Sequence, residues 1–541
     1  MNTKTFLTLS FIFSVLMISC TKKQQNPLFE DFNTPYGSIP FSKIKNEHYM
    51  PAIDRGIELA KAEIDSIVNN PEAPTFQNTI EALEKSGADL NRVNSIFFNI
   101  LEANSDEELM NLSLEASKKL SDYSTDIILN EGLWKRIKAV YENKDQLNLN
   151  PEEATLLQNT YDSFANSGAN LQGEDREKFK KLSSELSELT TVFGQNVLKE
   201  LNTYEIWLTK DDLSGLPETA VNAAAEAAKE KGREGEYLFT LAQPTYIAFM
   251  KYSSRPDLRE KMYKLYMGRN MQGEYSNMEN VKKISSLRLE IAKLLGFNNF
   301  AEQKLKDTMA QTPDAVYNLL DQLRDAYRPA QMKEFEELTA YASELEGKPV
   351  KIMPWDYSYY SNKLKEAKYS FDEEALRPYF ELNNVIDGVF GLATKLYGLK
   401  FTEVKDVDIY HPDVKAYKVE DENGKYVGLI YTDFFPRESK RPGAWMTAFK
   451  DQWIDENGEN SRPLISIVMN FNKPTGDEPS LLTPYEVETF LHEFGHALHG
   501  LLADTKYRSL SGTAVYRDFV ELPSQFNENY LTQKEFLDGF A

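Results

Sequence analysis

The sequence predicts a mainly α-helical protein with one small β-sheet beside a metal-binding helix. Three observations carry that prediction. Apolar residues recur at helical steps of three and four over long stretches. Strand signals gather only between residues 417 and 471. A run of the form H-E-x-x-H, His492-Glu493-Phe494-Gly495-His496, falls where the pattern is helical.

The elements follow in chain order. Lys4 precedes an apolar run from Phe6 to Ile18 that ends at Ser19-Cys20. The run is too short to span a bilayer and has the layout of a secretion signal. Cys20 is the only cysteine, so no internal disulfide is available and the fold must stand on its core and its metal. Leu16-Met17-Ile18-Ser19-Cys20 resembles a bacterial lipobox. Residues 1–19 are therefore expected to be a lipoprotein signal peptide, and Cys20 the lipidated first residue of the mature chain. That chain would be held on the bacterial cell envelope, facing the periplasm or exterior. Residues 20–40 read as a polar tether and lead-in segment.

From Pro27 to Leu201 the signals are helical, and residues 41–205 are taken as an N-terminal helical region. Phe179, Leu182, Leu186, Leu189, Phe193 and Val197 form one stripe, read as packing surface. Ile284, Leu287, Ile291 and Leu294 repeat the pattern, with Gly296 as its stop. Further on, Tyr417 to Val419 and Tyr426 to Tyr431 flank Asn423-Gly424, a hairpin cue. The run Leu464 to Phe471 reads as a strand just upstream of the metal helix. An extended peptide could add to an exposed edge of it through backbone hydrogen bonds. The chain has no internal repeat and no low-complexity tract.

A length of 541 residues allows two or more domain-sized cores, and 41% hydrophobic with 27% charged residues is ordinary for a folded protein. A net charge of -23 argues against nucleic acid as a partner, because phosphate binding wants clustered Lys and Arg.

The chemistry sits near the end of the chain. Two histidines four apart lie on one helical face, so His492 and His496 can reach one metal ion. Glu493 can then contact a water at that metal and act as its general base. Catalytic zinc takes three protein ligands and keeps an open position, so a third ligand is required. Metzincins place a histidine ten residues after the first and a glycine seven after it. Those positions here are Leu502 and His499, which rejects that class. The remaining candidates are downstream carboxylates: Asp504, Asp518, Glu521 and Glu528.

His492-Glu-Phe-Gly-His496-Ala-Leu-His499, then Ser511-Gly512-Thr513, then Arg517-Asp518-Phe519-Val520-Glu521-Leu522-Pro523-Ser524-Gln525, resembles the thimet oligopeptidase family of zinc metallopeptidases, peptidase family M3. Gly443-Ala444-Trp445-Met446, Trp355-Asp356 with Tyr359-Tyr360, and Leu294-Leu295-Gly296-Phe297 look like strings of the same family. Phe41 to Tyr49 and Pro74 to Ile80 resemble its bacterial peptidyl-dipeptidase branch. The resemblance implies two helical lobes around a channel, one Zn2+ per chain, and Glu521 as the third ligand. It implies hydrolysis of short unfolded peptides by a monomer, with release of C-terminal dipeptides. The rival within the family is an endo-acting oligopeptidase.

Roles follow from that ligand set. Glu493 takes a proton from the water and delivers it to the leaving amine. Asp518, three residues before Glu521, is a candidate acceptor orienting an imidazole from behind, or else a solvated carboxylate at a helix start. His499 is expected to be packed or hydrogen-bonded, because a fourth protein ligand would close the site. Gly495 is read as permitting close helix packing, and Pro523 as a first-turn residue or a kink. Residues 206–541 are the expected catalytic region, truncated at the C-terminal end. Members of the resembled family continue past the position of Ala541 with a Gly/Tyr-rich segment and a histidine that stabilise the tetrahedral oxyanion. On this expectation the chain is a fragment, a frameshifted product or an engineered piece. It could then be a catalytically impaired zinc- or peptide-binding lipoprotein of the envelope.

Overall fold

A computed structural model describes residues 26–370, 373–455, 457–475 and 478–541. The expected signal sequence and Cys20 lie outside the described residues. Helices dominate, with one five-stranded sheet towards the C-terminal end and two two-stranded ribbons, Ile206–Leu208 with Tyr237–Phe239 and Trp453–Ile454 with Asn460–Ser461; the first of these lies outside the region where the sequence shows strand signals. Among the described residues, no helix is long and apolar enough to cross a membrane.

The N-terminal part is built from α1 (Asn46–Val68), α2 (Ala88–Ala103), α3 (Glu107–Ile128) and α4 (Gly173–Leu201). The amide of Lys45, just before α1, donates to His48 Nδ1 at 3.1 Å, so that histidine serves as a cap. The stripe on α4 is packing surface: Phe179 and Leu182 are buried against Leu287 and Ile291, with Leu186 and Leu189 half-buried beside them. Its far end opens to solvent at Phe193. Then come α5 (Gln243–Tyr252), α6 (Pro256–Met267) and α7 (Met278–Leu294). After α7, Gly296 turns the chain at φ +86, the left-handed conformation its position requires. Helix α8 (Pro313–Leu345) buries only Leu338 and Ala342, and leaves Tyr317, Leu320 and Tyr327 exposed. Helices α9 (Tyr357–Tyr369) and α10 (Leu382–Tyr397) precede the sheet.

The sheet comprises β1 (Lys400–Val404), β2 (Lys415–Glu420), β3 (Tyr426–Asp433), β4 (Trp445–Lys450) and β5 (Leu464–Val468), in the order β1-β2-β3-β5-β4. The hairpin cue is correct: β2 and β3 pair antiparallel, and Asp421 Oδ1 accepts from Asn423 and Lys425 in the turn. Strand β5 differs from expectation. It is not an edge: it pairs parallel with β3 and antiparallel with β4, and all five residues are buried. Five consecutive apolar or small residues suit a strand covered on both faces, which is why the run shows no alternation.

The two faces of the sheet serve two cores. Tyr417, Val419, Ile430, Ile465 and Ile467 pack under α10 and the metal helix. Ala416, Leu429, Tyr431, Phe449 and Leu464 pack against α1, α2 and the start of α3. Residues on both sides of the expected boundary at 205/206 thus share a core.

Candidate metal centre

The H-E-x-x-H run lies on α11 (Pro484–Leu501). The start of this helix is set by sequence. Thr483 accepts from the Glu486 amide, Glu486 Oε2 accepts from Thr483 N at 2.7 Å, and Pro484 occupies the first turn. One side of α11 is pressed onto the sheet. At Gly500 a Cβ would lie 2.8 Å from Ile465 Cδ1, so the helix approaches more closely than any side chain would allow.

A second helix, α12 (Glu521–Glu528), packs across α11. Pro523 sits in its first turn, where its missing N–H costs no helical bond. The crossing point is Gly495: a Cβ there would lie 2.6 Å from Ser524 Cα and 3.0 Å from Pro523 O. Asn527 Nδ2 donates to Leu491 O at 2.6 Å and locks the seam.

This crossing brings Glu521 to the histidines. Its Oε2 lies 3.2 Å from His492 Nε2 and 3.0 Å from His496 Nε2. Among the described residues these three form the only group of potential ligands whose atoms all fall within 4.8 Å of one another. Ligands at the Zn–N and Zn–O lengths of about 2.0–2.1 Å in a tetrahedron would stand roughly 3.4 Å apart, close to the observed spacing. Burial pushes the His496 imidazole towards its neutral form, the form that donates a lone pair to a metal. The donor set of two imidazoles and one carboxylate therefore fits a catalytic zinc ion.

A partner on the far ring nitrogen orients a metal-binding imidazole; His492 has one, and His496 Nδ1 has none among the described residues. His492 Nδ1 meets Glu528 Oε1 at 2.7 Å. Glu528 stands two helical turns after Glu521, on the same face of α12. The sequence offered Glu528 only as an alternative ligand. Its spacing from Glu521 was the signal for this other role. Asp518, a candidate for that role or else a solvated carboxylate, is elsewhere: its carboxylate accepts from the amides of Met309 and Ala310, both at 2.9 Å. The reason is that α12 begins only at Glu521, so residue 518 does not share its helical face. Ser524 Oγ, in turn, donates to Glu521 Oε2 at 3.0 Å.

His499 is packed rather than ligating. Burial depresses its pKa, its Nδ1 has no hydrogen-bond partner among the described residues, and it lines an apolar pocket with Leu522 and Phe526. The other two histidines are structural: His48 caps α1, and His411 Nδ1 accepts from Asp413 N.

Glu493 is 6% exposed and lines a cavity of about 690 Å3 that also contains His492 and Glu528. Burial, with help from the nearby Glu521 charge and against the pull of His492, pushes its carboxyl up to about 7. A carboxylate that holds a proton near neutrality is suited to general acid–base work. Helix α5 lines the same cavity with Ile247 and Lys251. Its rim includes Gly443 and Ala444, which lead into β4, the strand that occupies the sheet edge in place of β5. Asn470 Nδ2 donates to Gly443 O at 2.7 Å and fixes that rim.

Comparison with known proteins gives a consistent set of relatives. The profile of peptidase family M3 matches residues 249–541. A dipeptidyl carboxypeptidase of Escherichia coli (strain K12) is 37% identical over 519 residues, covering 95% of this chain and 76% of that one. Oligopeptidase A of the same strain is 35% identical over 519 residues, covering 95% of this chain and 75% of that one. A solved structure of PZ peptidase A with inhibitor 2 matches at TM-score 0.46 and 14% identity, over 92% of this chain and 72% of that one.

Proposed function

The chain belongs to peptidase family M3 and is a metallopeptidase, and from that premise we propose that it releases dipeptides from the C-terminus of short, unfolded peptides, with one Zn2+ held by His492, His496 and Glu521. The convergence of those three donors, with His492 and the buried Glu493 lining one cavity, is the observation that carries the reading. A bound zinc ion supplies a Lewis acid that polarises the scissile carbonyl and acidifies water.

The chain's own residues do the rest. Glu528 accepts the Nδ1 proton of His492, so that Nε2 presents its lone pair. Glu493 takes the proton of the attacking water and passes it to the departing amine as the C–N bond breaks. The buried surroundings that raise its pKa make it a better base than an exposed glutamate. The backbone at Gly443–Ala444 is placed to align an extended peptide along the cavity.

Removal of dipeptides, rather than internal cutting, is favoured by the likeness to the dipeptidyl carboxypeptidase. The likeness to oligopeptidase A keeps the endo-acting reading in play. Mass spectrometry of the products from a defined ten-residue peptide decides between them. Successive loss of C-terminal dipeptides is the expected pattern, and long C-terminal pieces would establish internal cleavage instead. We also propose lipidation at Cys20 and residence on the cell envelope, supported by the sequence of residues 1–20. The check is the mass of the mature N-terminus and its partition into detergent: an unmodified, water-soluble N-terminus would refute it.

A further inference from the structure

Two cavities meet across helix α5. One is the cavity that holds Glu493. The second, about 400 Å3, is lined by Tyr246, Met250, Tyr263, Pro354 and Tyr357. Ile247, Lys251 and Glu373 line both, so the second cavity continues the first.

The junction is polar and built. Glu373 bridges Lys251 and Lys365, one carboxylate between two ammonium groups. Beyond it the chemistry changes from carboxylates to rings. Three phenol rings, a proline and a methionine thioether make one wall that attracts flat, polarisable groups, and Ser358, Ser361 and Asn362 line the same cavity. The wall is also apolar surface left open. Tyr357 is 53% exposed and Ile247 43% exposed, although each stands on a well-anchored helix.

The anchoring is visible beneath them. Arg259 and Asp356, both buried, form a 2.7 Å ion pair that ties α6 to the start of α9, one residue before Tyr357. Arg259 also donates to Ser253 O at 2.7 Å and stacks its guanidinium on Tyr359. Tyr246 is stacked on Tyr266 with centroids 3.8 Å apart. A cavity with fixed aromatic walls loses little freedom when a ligand enters, which favours binding.

Resting on the peptidase reading above, we propose that this second cavity is a distal subsite, and that it takes an aromatic side chain of the bound peptide several residues from the scissile bond. The volume falls within the range of small-molecule pockets and accommodates one phenyl or indole ring. The peptide backbone passes over Lys251 and Glu373, and the ring enters between Tyr246 and Tyr357.

The test is a set of internally quenched peptides that differ only in the position of a single Phe in an alanine background, assayed on the zinc-loaded full chain. One position is expected to lower KM by roughly 2- to 13-fold with kcat unchanged, the scale of a stacked aromatic contact. In Tyr357→Ala the ratio between the Phe and Ala peptides collapses towards one. In Tyr317→Ala, on the exposed face of α8, the ratio stays as in the parent chain. No favoured position, or a ratio undiminished in Tyr357→Ala, overturns the proposal. Equilibrium binding of the same peptides to Glu493→Gln separates the two levels of failure. Peptides that bind without any preference for Phe remove the subsite alone. Peptides that neither bind nor are cleaved remove the peptidase reading, and the subsite with it.

Discussion

Helix α11 buries eleven of its eighteen residues, whereas α12 buries only Ser524 and Asn527 of its eight. The first presents His492, Glu493 and His496, and the second presents Glu521 and Glu528. Phe490, Leu491, Phe494 and Leu501 are fully buried on α11, while Leu522 and Phe526 on α12 are each 59% exposed. A buried side chain of this kind contributes about 1.5–3 kcal/mol, so α11 is fixed by the core itself. Helix α12 is fixed mainly by one seam: Gly495 against Ser524, the Asn527 hydrogen bond and the His492–Glu528 contact. Two ligands and the base are therefore positioned by hydrophobic packing, and the third ligand by a few polar contacts.

Glu493→Gln asks whether the rigid helix carries the chemistry. The change preserves shape, so zinc content by elemental analysis should stay at one per chain while kcat falls about 10²–10⁴-fold. A loss smaller than tenfold would place the base elsewhere. Gly495→Ala attacks the seam. The new methyl would overlap Ser524, at a cost of about 1–3 kcal/mol, and should displace Glu521 and weaken zinc binding. Gly391→Ala, where a Cβ meets nothing within 4 Å, should instead stabilise α10 by about 0.5–1 kcal/mol. If thermal melts and zinc titrations cannot tell the two variants apart, the seam is not what positions Glu521. Glu528→Ala leaves all three ligands but frees the His492 ring. Chelator competition should then read a 10- to 100-fold drop in zinc affinity, and an unchanged value would make Glu528 a bystander.

The smallest effect is a difference in pH response. The Met309 and Ala310 amides hold the Asp518 carboxyl below its unfolded value of 3.8. That contact contributes fully above this value and is lost as pH falls through the folded one. Glu486, in the cap of α11, is pushed the opposite way by burial. Burial disfavours its charged form relative to the unfolded chain, so its contribution is greatest in acid and declines as pH rises through its folded value. Hydrogen exchange measured below pH 4 should show residues 305–312 and 515–522 opening before residues 486–500. Simultaneous opening would mean the two regions form one cooperative unit.

The sequence exposed what lies within one element. The four-residue histidine spacing, the Asn423-Gly424 turn and the stop at Gly296 are local, and each is read without knowing any neighbour. Gly495 was legible as a close approach, although not what approached it. Contacts between elements were harder. The orienting role considered for Asp518 counts back along a helix that begins only at Glu521, and Glu528, one of four candidate ligands in the sequence, instead meets the far side of His492. The edge strand was misjudged because an apolar run of five cannot say whether it has one neighbour or two. The cavity wall at α5 lies more than two hundred residues from the metal helix, and nothing in its own spacing points there.

Strand β5 has a further consequence, for the order in which this protein can be built. It lies between β3 and β4, both of which precede it in the chain and neither of which pairs with the other. Until residues 464–468 are in place, β4 has no strand to join and the sheet has no centre. The metal helix follows directly and packs on that centre. Closing the sheet needs pairings between strands far apart in the chain, the kind that form slowly. The seat of the metal helix therefore depends on contacts that no local segment can supply.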